Sequence, residues 1–67
     1  MGTKMRLIPT EIHENGELTK IEYHNEAGEF VIEAIWDPED EQTSENRVKF
    51  REWATRLLDQ KGYEVFK

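Results

Sequence analysis

The chain has 67 residues, a formal net charge of −6 and no cysteine. Its length allows one small domain, which buries roughly 60% of its unfolded surface and leaves little room for an enclosed substrate pocket. The lack of cysteine excludes a disulfide framework, thiolate catalysis and zinc sites built on cysteine pairs. We therefore expect a protein that is not an enzyme and binds no cofactor.

No apolar run is long enough to span a membrane, since the longest, Phe30–Ile32, is followed at once by Glu33. The first residues also lack the apolar segment of a signal peptide. The expectation is a cytoplasmic protein without membrane contact.

Acidic and basic residues are segregated along the chain. Residues 7–46 contain twelve acids and one base, whereas residues 47–67 contain three acids and six bases. The net negative charge disfavours non-specific binding to nucleic acid, but the basic C-terminal segment keeps a local basic patch open.

A β-hairpin is the first predicted feature. Asn15-Gly16 stands between two half-apolar runs, and this dipeptide favours a type I′ turn because both residues tolerate positive φ. A two-residue loop then gives these pairs on one face: Ile12 with Thr19, Thr10 with Ile21 and Ile8 with Tyr23. The opposite face holds these pairs: His13 with Leu18, Glu11 with Lys20 and Leu7 with His24. We assign the first face to the core because its apolar mass is larger.

A third strand is predicted after a four-residue loop, Asn25–Gly28, in a register that pairs Ile21 with Ile32. This register keeps apolar side chains together across three strands and ends at Trp36. The predicted antiparallel strands cover residues 6–14, 17–24 and 29–36. Pro9 has no N–H to donate, so the first strand should have an open or irregular edge there.

A helix is predicted after the acidic loop at residues 37–44. Its apolar residues follow helical spacing on one face: Phe50, Trp53, Ala54, Leu57 and Leu58. Thr43 or Ser44 should cap its start, and Gly62 should take the left-handed conformation after its end. The segment "YEVF" then reads as a short strand, parallel to the first or the third.

The sequence therefore predicts an α+β fold with the order β-β-β-α-β. A three-stranded antiparallel meander is followed by one helix packed on one sheet face and by a short C-terminal strand. Residues 1–67 form a single domain in which residues 1–5 are expected to be disordered.

The acidic loop reads "DPEDEQTSE" from Asp37 to Glu45. It does not match a calcium-binding EF-hand, because Gln42 and Val48 stand where that loop needs glycine and a bidentate glutamate. Acids close to a helix start are stabilised by the helix dipole, but that effect fades within a turn and does not account for all of them. We expect no metal site here.

No catalytic constellation accompanies the titratable side chains. His13 and His24 lie near opposite ends of the first hairpin, with no nucleophile or orienting group beside them. Five aromatic residues fall on predicted core faces, with Trp53 at the margin: Tyr23, Phe30, Trp36, Phe50 and Trp53.

An apolar patch with an acidic rim is predicted on the outer sheet face. Leu18 faces Ile35 there, with Val31 nearby, and the rim includes Glu11, Glu22 and Glu33. Such a patch is typical of a protein-binding surface, and covering it with a second copy would make a homodimer. The acidic loop adds four candidate contacts: Asp37, Glu39, Asp40 and Glu41.

The leading hypothesis is a small acidic protein-interaction module, regulatory or inhibitory, that binds an unidentified protein through this patch and loop. By analogy of size and charge with phage-encoded inhibitors, its carboxylates could mimic nucleic acid in a basic groove. One alternative is a nucleic-acid-binding protein that uses four bases of the helix: Arg47, Lys49, Arg51 and Arg56. Another is a structural subunit whose function is to oligomerise.

Overall fold

The computed structural model describes residues 4–66, which form a four-stranded sheet with one helix packed against it. The elements are β1 Met5–Glu14, β2 Glu17–His24, β3 Phe30–Ile35, α1 Ser44–Gln60 and β4 Tyr63–Val65. The α+β class and the order β-β-β-α-β are therefore confirmed. The prediction of disorder for residues 1–5 is wrong at Met5, because Met5 begins β1. Residues 1–3, to which the same prediction applied, lie outside the described residues.

The strand order is β3-β2-β1-β4, which puts β3 at one edge and β4 at the other. The three long strands are antiparallel, and β4 is parallel to β1, as the helical crossover requires. β4 pairs only with Met5–Leu7, and the Phe66 N–H then donates to the Leu7 carbonyl at 2.8 Å. Backbone groups of alternate residues face the same edge of a strand, so the Pro9 nitrogen faces the edge of β1 that Leu7 presents to β4. β4 ends before it reaches Pro9, so the predicted open edge is confirmed there.

The β1–β2 hairpin turns at Asn15-Gly16, where φ is +53° and +79°. The first two predicted pairs form, Glu14 with Glu17 and His13 with Leu18. The ladder then shifts, so that Ile12 pairs with Lys20 and Thr19 becomes the additional residue of a β-bulge. The Thr19 hydroxyl donates to the Ile12 carbonyl at 3.0 Å, which stabilises the bulge.

The bulge reverses the predicted faces of β1. Because one residue is added, Leu18 and Ile21 both face the core although they are three residues apart. β1 correspondingly buries Leu7 completely and exposes Ile8. The assignment of Leu7 and Leu18 to the outer face was therefore wrong, as was that of Ile8 to the core.

β2 and β3 are joined by a five-residue loop at residues 25–29. Asn25 closes it, since its side-chain oxygen accepts from the Ala27 and Glu29 backbone N–H groups at 3.0 and 2.9 Å. Ile21 pairs with Ala34, two residues from the predicted Ile32. Because a slip of two preserves the alternation, the core assignment of β3 remains correct at most positions.

A second bulge adds one residue near the start of β3. Tyr23 pairs with Ile32 and His24 pairs with Phe30, so Val31 is the additional residue. The Phe30 ring packs edge-on against His24, with 5.9 Å between ring centroids, and stays largely exposed. Its predicted core position was wrong.

The core lies between the sheet and one face of α1. Six residues form its buried cluster: Leu7, Ile21, Tyr23, Ala34, Ala54 and Leu58. Five half-buried residues pack against that cluster: Val31, Ile32, Phe50, Tyr63 and Val65. The helix closes this core without covering the outer face of the sheet.

Both predicted helix caps are present. The Thr43 hydroxyl accepts from the Asn46 backbone N–H at 3.0 Å, so Thr43 rather than Ser44 is the N-cap. Gly62 follows the C-cap Lys61 with φ of +93° and ends the helix.

Candidate functional site

The predicted outer-face patch loses three of its six sheet residues. Leu18 is fully buried and Val31 packs against the core cluster, because of the two bulges. Glu11 lies on the opposite side of the sheet, where it bonds to Arg51 of α1. Ile35 is 64% exposed, so it is the apolar member of the set that remains accessible.

Glu22 and Glu33 do share the outer face, where they flank one base. The Lys20 ammonium lies 3.3 Å from a Glu22 oxygen and 3.2 Å from a Glu33 oxygen. The hydrogen bonds to Glu33 and Glu22 raise the pKa of Lys20. These two carboxylates are thus partly neutralised within the sheet rather than left free for a partner.

The acidic loop is folded by its own residues. The Asp37 side chain accepts from the Glu39 N–H at 3.0 Å, and the Asp37 carbonyl accepts from the Asp40 N–H at 3.0 Å. The Trp36 indole N–H donates to the Asp40 carbonyl at 3.1 Å. Within residues 4–66 the carboxylates of Glu39, Asp40 and Glu41 make no hydrogen bond or ion pair, so the loop presents them to solvent.

Gln42 attaches this loop to the hairpin. Its side chain accepts from the Leu18 N–H at 3.0 Å and donates to the Leu18 carbonyl at 2.9 Å. Arg47 donates to the same Gln42 oxygen at 3.1 Å and to the Gly16 carbonyl at 3.2 Å. Sequence reasoning missed Gln42, because its partner is the backbone of a distant strand and leaves no local signal.

An aromatic stack leads from the core to the surface beside the loop. The Trp36 and Phe50 rings meet edge-on with centroids 5.1 Å apart, and Phe50 and Trp53 stack at 6.0 Å. Trp36 is buried, whereas Trp53 is 48% exposed. This exposure agrees with the predicted position of Trp53 at the margin of the helix's core face.

The stack forms one wall of an open cleft, which we call the Trp53 cleft. It encloses about 510 Å³ between the end of β3, the acidic loop and α1, and is lined by Ile35, Asp37, Asp40, Asn46, Lys49, Phe50 and Trp53. Three of these residues are apolar, two are acidic and one, Lys49, is basic. The cleft therefore brings the loop carboxylates together with exposed apolar surface, which the sequence had placed on the sheet face.

The four bases of the alternative nucleic-acid site are not assembled into one patch. Arg47 is bonded to Gln42 and Gly16, and Lys49 lies 3.2 Å from Glu45. Arg51 forms a two-pronged pair with Glu11, at 2.6 and 3.1 Å, which lowers the pKa of Glu11 and raises that of Arg51. Three of the four bases thus serve contacts within the chain.

Arg56 lies instead in a second, wider groove of about 890 Å³ between α1 and β4. Its charged lining is balanced, with three arginines (Arg6, Arg51 and Arg56) and three acids (Glu52, Asp59 and Glu64). A groove without net charge gives no electrostatic reason to bind phosphate.

Other kinds of site receive no support from the described residues. Among residues 4–66 no three histidine, aspartate or glutamate side chains are placed to hold a metal ion. In the same part of the chain, no helix has the length and apolar character to cross a bilayer. Comparison of the chain with protein-family models, with curated proteins and with solved structures found no match.

Proposed function

We propose that the protein is a small, non-enzymatic module that binds a partner protein through the Trp53 cleft and the acidic loop. Its role is regulatory or inhibitory, exerted by occupying the partner's surface in the cytoplasm. The single observation that carries the proposal is the exposed aromatic wall of Phe50 and Trp53 next to the carboxylates of Asp37 and Asp40.

Exposed aromatic surface in a pocket is where binding energy concentrates. Tryptophan is enriched among the interface residues whose loss costs the most affinity, and such residues lie in pockets surrounded by polar groups. Trp53 is held in place by stacking on Phe50, which packs in turn on buried Trp36. A side chain that is already fixed loses little rotational freedom when a partner covers it.

The acidic loop gives the cleft its charge preference. Three carboxylates there, on Glu39, Asp40 and Glu41, have no partner among the described residues and so favour a basic partner surface. Charge complementarity of this kind mainly accelerates association and weakens as salt screens it. A partner whose basic groove normally holds nucleic acid fits this description, and that form of the proposal remains a prediction.

The test is affinity capture from a cell lysate with nuclease present, in which Trp53→Ser is compared with the unaltered chain. Val48→Ser and Phe66→Ser are matched controls, since Val48 is 48% and Phe66 53% exposed and neither lines the Trp53 cleft. We expect Trp53→Ser to weaken capture of one protein about tenfold or more, since such residues contribute on the order of 2 kcal/mol.

Equal recovery with Trp53→Ser and with the two controls would contradict the proposal, as would recovery of nucleic acid without a protein. The triple variant Glu39→Gln, Asp40→Asn and Glu41→Gln tests the charge separately. We expect it to slow association at low salt and to change dissociation little.

A further inference from the structure

β3 has one edge without a neighbouring strand among the described residues. It is the terminal strand of the sheet, paired only with β2. The Trp36 N–H donates to the Thr19 carbonyl at 2.9 Å, which shows the side that faces β2. By alternation, Glu33 and Ile35 direct their backbone N–H and C=O groups away from β2.

This edge lacks two of the features that block strand addition, proline and lysine, and its β-bulge at Val31 precedes Glu33 and Ile35. Natural edge strands are often protected by proline, by lysine, by a β-bulge or by a covering segment. β3 reads FVIEAI, with no proline or lysine, and its one charged side chain, Glu33, is engaged by Lys20 of β2. Four unpaired backbone groups on two alternate residues are thus available to an added strand.

The open edge and the Trp53 cleft share a residue. Ile35 belongs to the edge and also lines the cleft with Phe50 and Trp53. A strand laid along β3 would direct alternate side chains toward this cleft and the others toward the outer sheet face. Main-chain bonds would supply affinity in this arrangement, and the cleft would select the side chain.

We propose that β3 accepts an extended, basic segment of the partner protein as a fifth strand, with an apolar side chain of that segment in the Trp53 cleft. The proposal rests on the proposed function and names the mode of binding and the chemistry of the ligand. Asp37 and Asp40 line the cleft and Glu39 and Glu41 stand in the same loop, so lysine or arginine at the end of the segment that lies beside this loop finds carboxylates nearby.

Net charge favours a basic segment over a second copy of this chain as the strand added to β3. Each copy carries a formal charge of −6, so pairing two β3 edges would bring two like-charged molecules together. Like charges placed opposite each other destabilise strand pairing. A basic segment of another protein meets no such repulsion.

The test uses a capped heptapeptide alternating lysine and valine, titrated into isotopically labelled protein and followed by NMR. We expect the backbone amides of Glu33 and Ile35 and the indole of Trp53 to shift together, and the two amides to become protected from hydrogen exchange. A peptide with glutamate in place of lysine should bind about tenfold more weakly or worse, as like charges cost several kcal/mol.

Backbone methylation separates strand addition from simple charge attraction. Along a strand, the N–H groups of alternate residues face the same edge. Methylating either the valine or the lysine nitrogens should therefore abolish binding, whereas methylating the other set should leave it within a few-fold. Tolerance of both methylated peptides would overturn the proposal.

A pair of variants tests the same point on the protein. Ile35→Pro removes an N–H that faces the open edge and spares the bonds to β2, whereas Ile35→Thr changes the side chain and keeps that N–H. We expect only Ile35→Pro to lose the amide shifts of the peptide titration, with the β2 amides of both variants unchanged in the free protein.

Two outcomes distinguish this proposal from the proposed function. If capture of the partner depends on Trp53 but is equal for Ile35→Pro and Ile35→Thr, the proposed function is supported and strand addition is contradicted. If sedimentation equilibrium shows a dimer that Ile35→Pro abolishes, the edge of β3 pairs with a second copy of the chain. That result would overturn the proposal that it binds a basic segment of another protein.

Discussion

Thr19 decides which side chains of the hairpin enter the core. It is the additional residue of the first bulge, and its hydroxyl holds the displaced ladder by donating to Ile12. Without that residue the alternation of β2 would continue, and Leu18 and Ile21 could not both face inward. One β-branched residue thus sets the inside and outside of two strands.

Thr19→Val tests this contribution, because it removes the hydroxyl and keeps the branched shape. We expect the free energy of unfolding to fall by about 1 kcal/mol, the usual net value of one hydrogen bond. Urea denaturation measures it. Thr10→Val is the control, since Thr10 is exposed on β1 and its hydroxyl makes no bond within residues 4–66. An equal loss in both variants would show that the bulge bond does not stabilise the hairpin.

Residues whose conformation is set locally could be predicted from the sequence. Asn15-Gly16 turns at positive φ, Thr43 caps the helix and Gly62 ends it, each as expected. The bulge at Thr19 could not be predicted, because its hydroxyl is satisfied by a residue of another strand. Because this bulge was not predicted, Leu18 was assigned to the candidate site although it lies in the core.

At the scale of elements, Gln42 joins the acidic loop to the hairpin, in addition to the bond from the Trp36 indole to Asp40. Gln42 bonds both backbone groups of Leu18, a buried residue at the start of β2. This attachment fixes the loop relative to β3 and so shapes the Trp53 cleft.

Gln42→Ala should leave the N–H and C=O of Leu18 without partners. We expect it to lower the free energy of unfolding by about 1–3 kcal/mol, the cost of unsatisfied buried groups, and to speed hydrogen exchange at the Leu18 amide. Glu41→Ala is the neighbouring control, since the Glu41 side chain makes no bond within the described range. Unchanged exchange at Leu18 in Gln42→Ala would contradict the attachment.

The elements themselves were predictable because their periodicity is strong, but their contacts were not. Phe50 and Trp53 follow helical spacing, which indicates a core face without showing how far the sheet extends beneath it. Trp53 is half exposed and, with Ile35 at the end of β3, lines the cleft. The candidate site moved from the sheet face to this edge for that reason.

Across the whole molecule, the acidic and basic segments meet each other in the fold. Glu11 of β1 and Arg51 of α1 are joined by two hydrogen bonds, and Arg47 reaches the hairpin turn. The segregation of charge along the chain is therefore partly resolved within the protein. The acidic loop keeps its charge because no base within residues 4–66 forms an ion pair with Glu39, Asp40 or Glu41, and Lys49, which also lines the cleft, is paired with Glu45.

The Glu11–Arg51 pair predicts a dependence of stability on pH. Arg51 lowers the pKa of Glu11 from its ordinary value of 4.5. A lowered pKa in the folded state contributes stability that is present above about pH 4.5 and is lost as the pH falls through the folded value. The pair is partly exposed, so we expect less than about 1 kcal/mol.

The measurement is the difference in unfolding free energy between the unaltered chain and Glu11→Gln, followed from about pH 7 down to about pH 3. The difference should shrink as the solution becomes more acidic, because protonated Glu11 and glutamine are both neutral. Glu14→Gln is the control, since Glu14 shows no ion pair within the described residues. A difference that stays constant with pH would count against the pair.

The short pairing of β4 with β1 has a mechanical consequence. The two strands are parallel neighbours, so a tension applied between residues 4 and 66 pulls them in opposite directions along their length. Their hydrogen bonds are then loaded in shear and must break together, rather than one after another as in a hairpin that is peeled open. Met5–Leu7 and Tyr63–Val65 thus act as a clamp, and because only three residue pairs form it, that clamp is short.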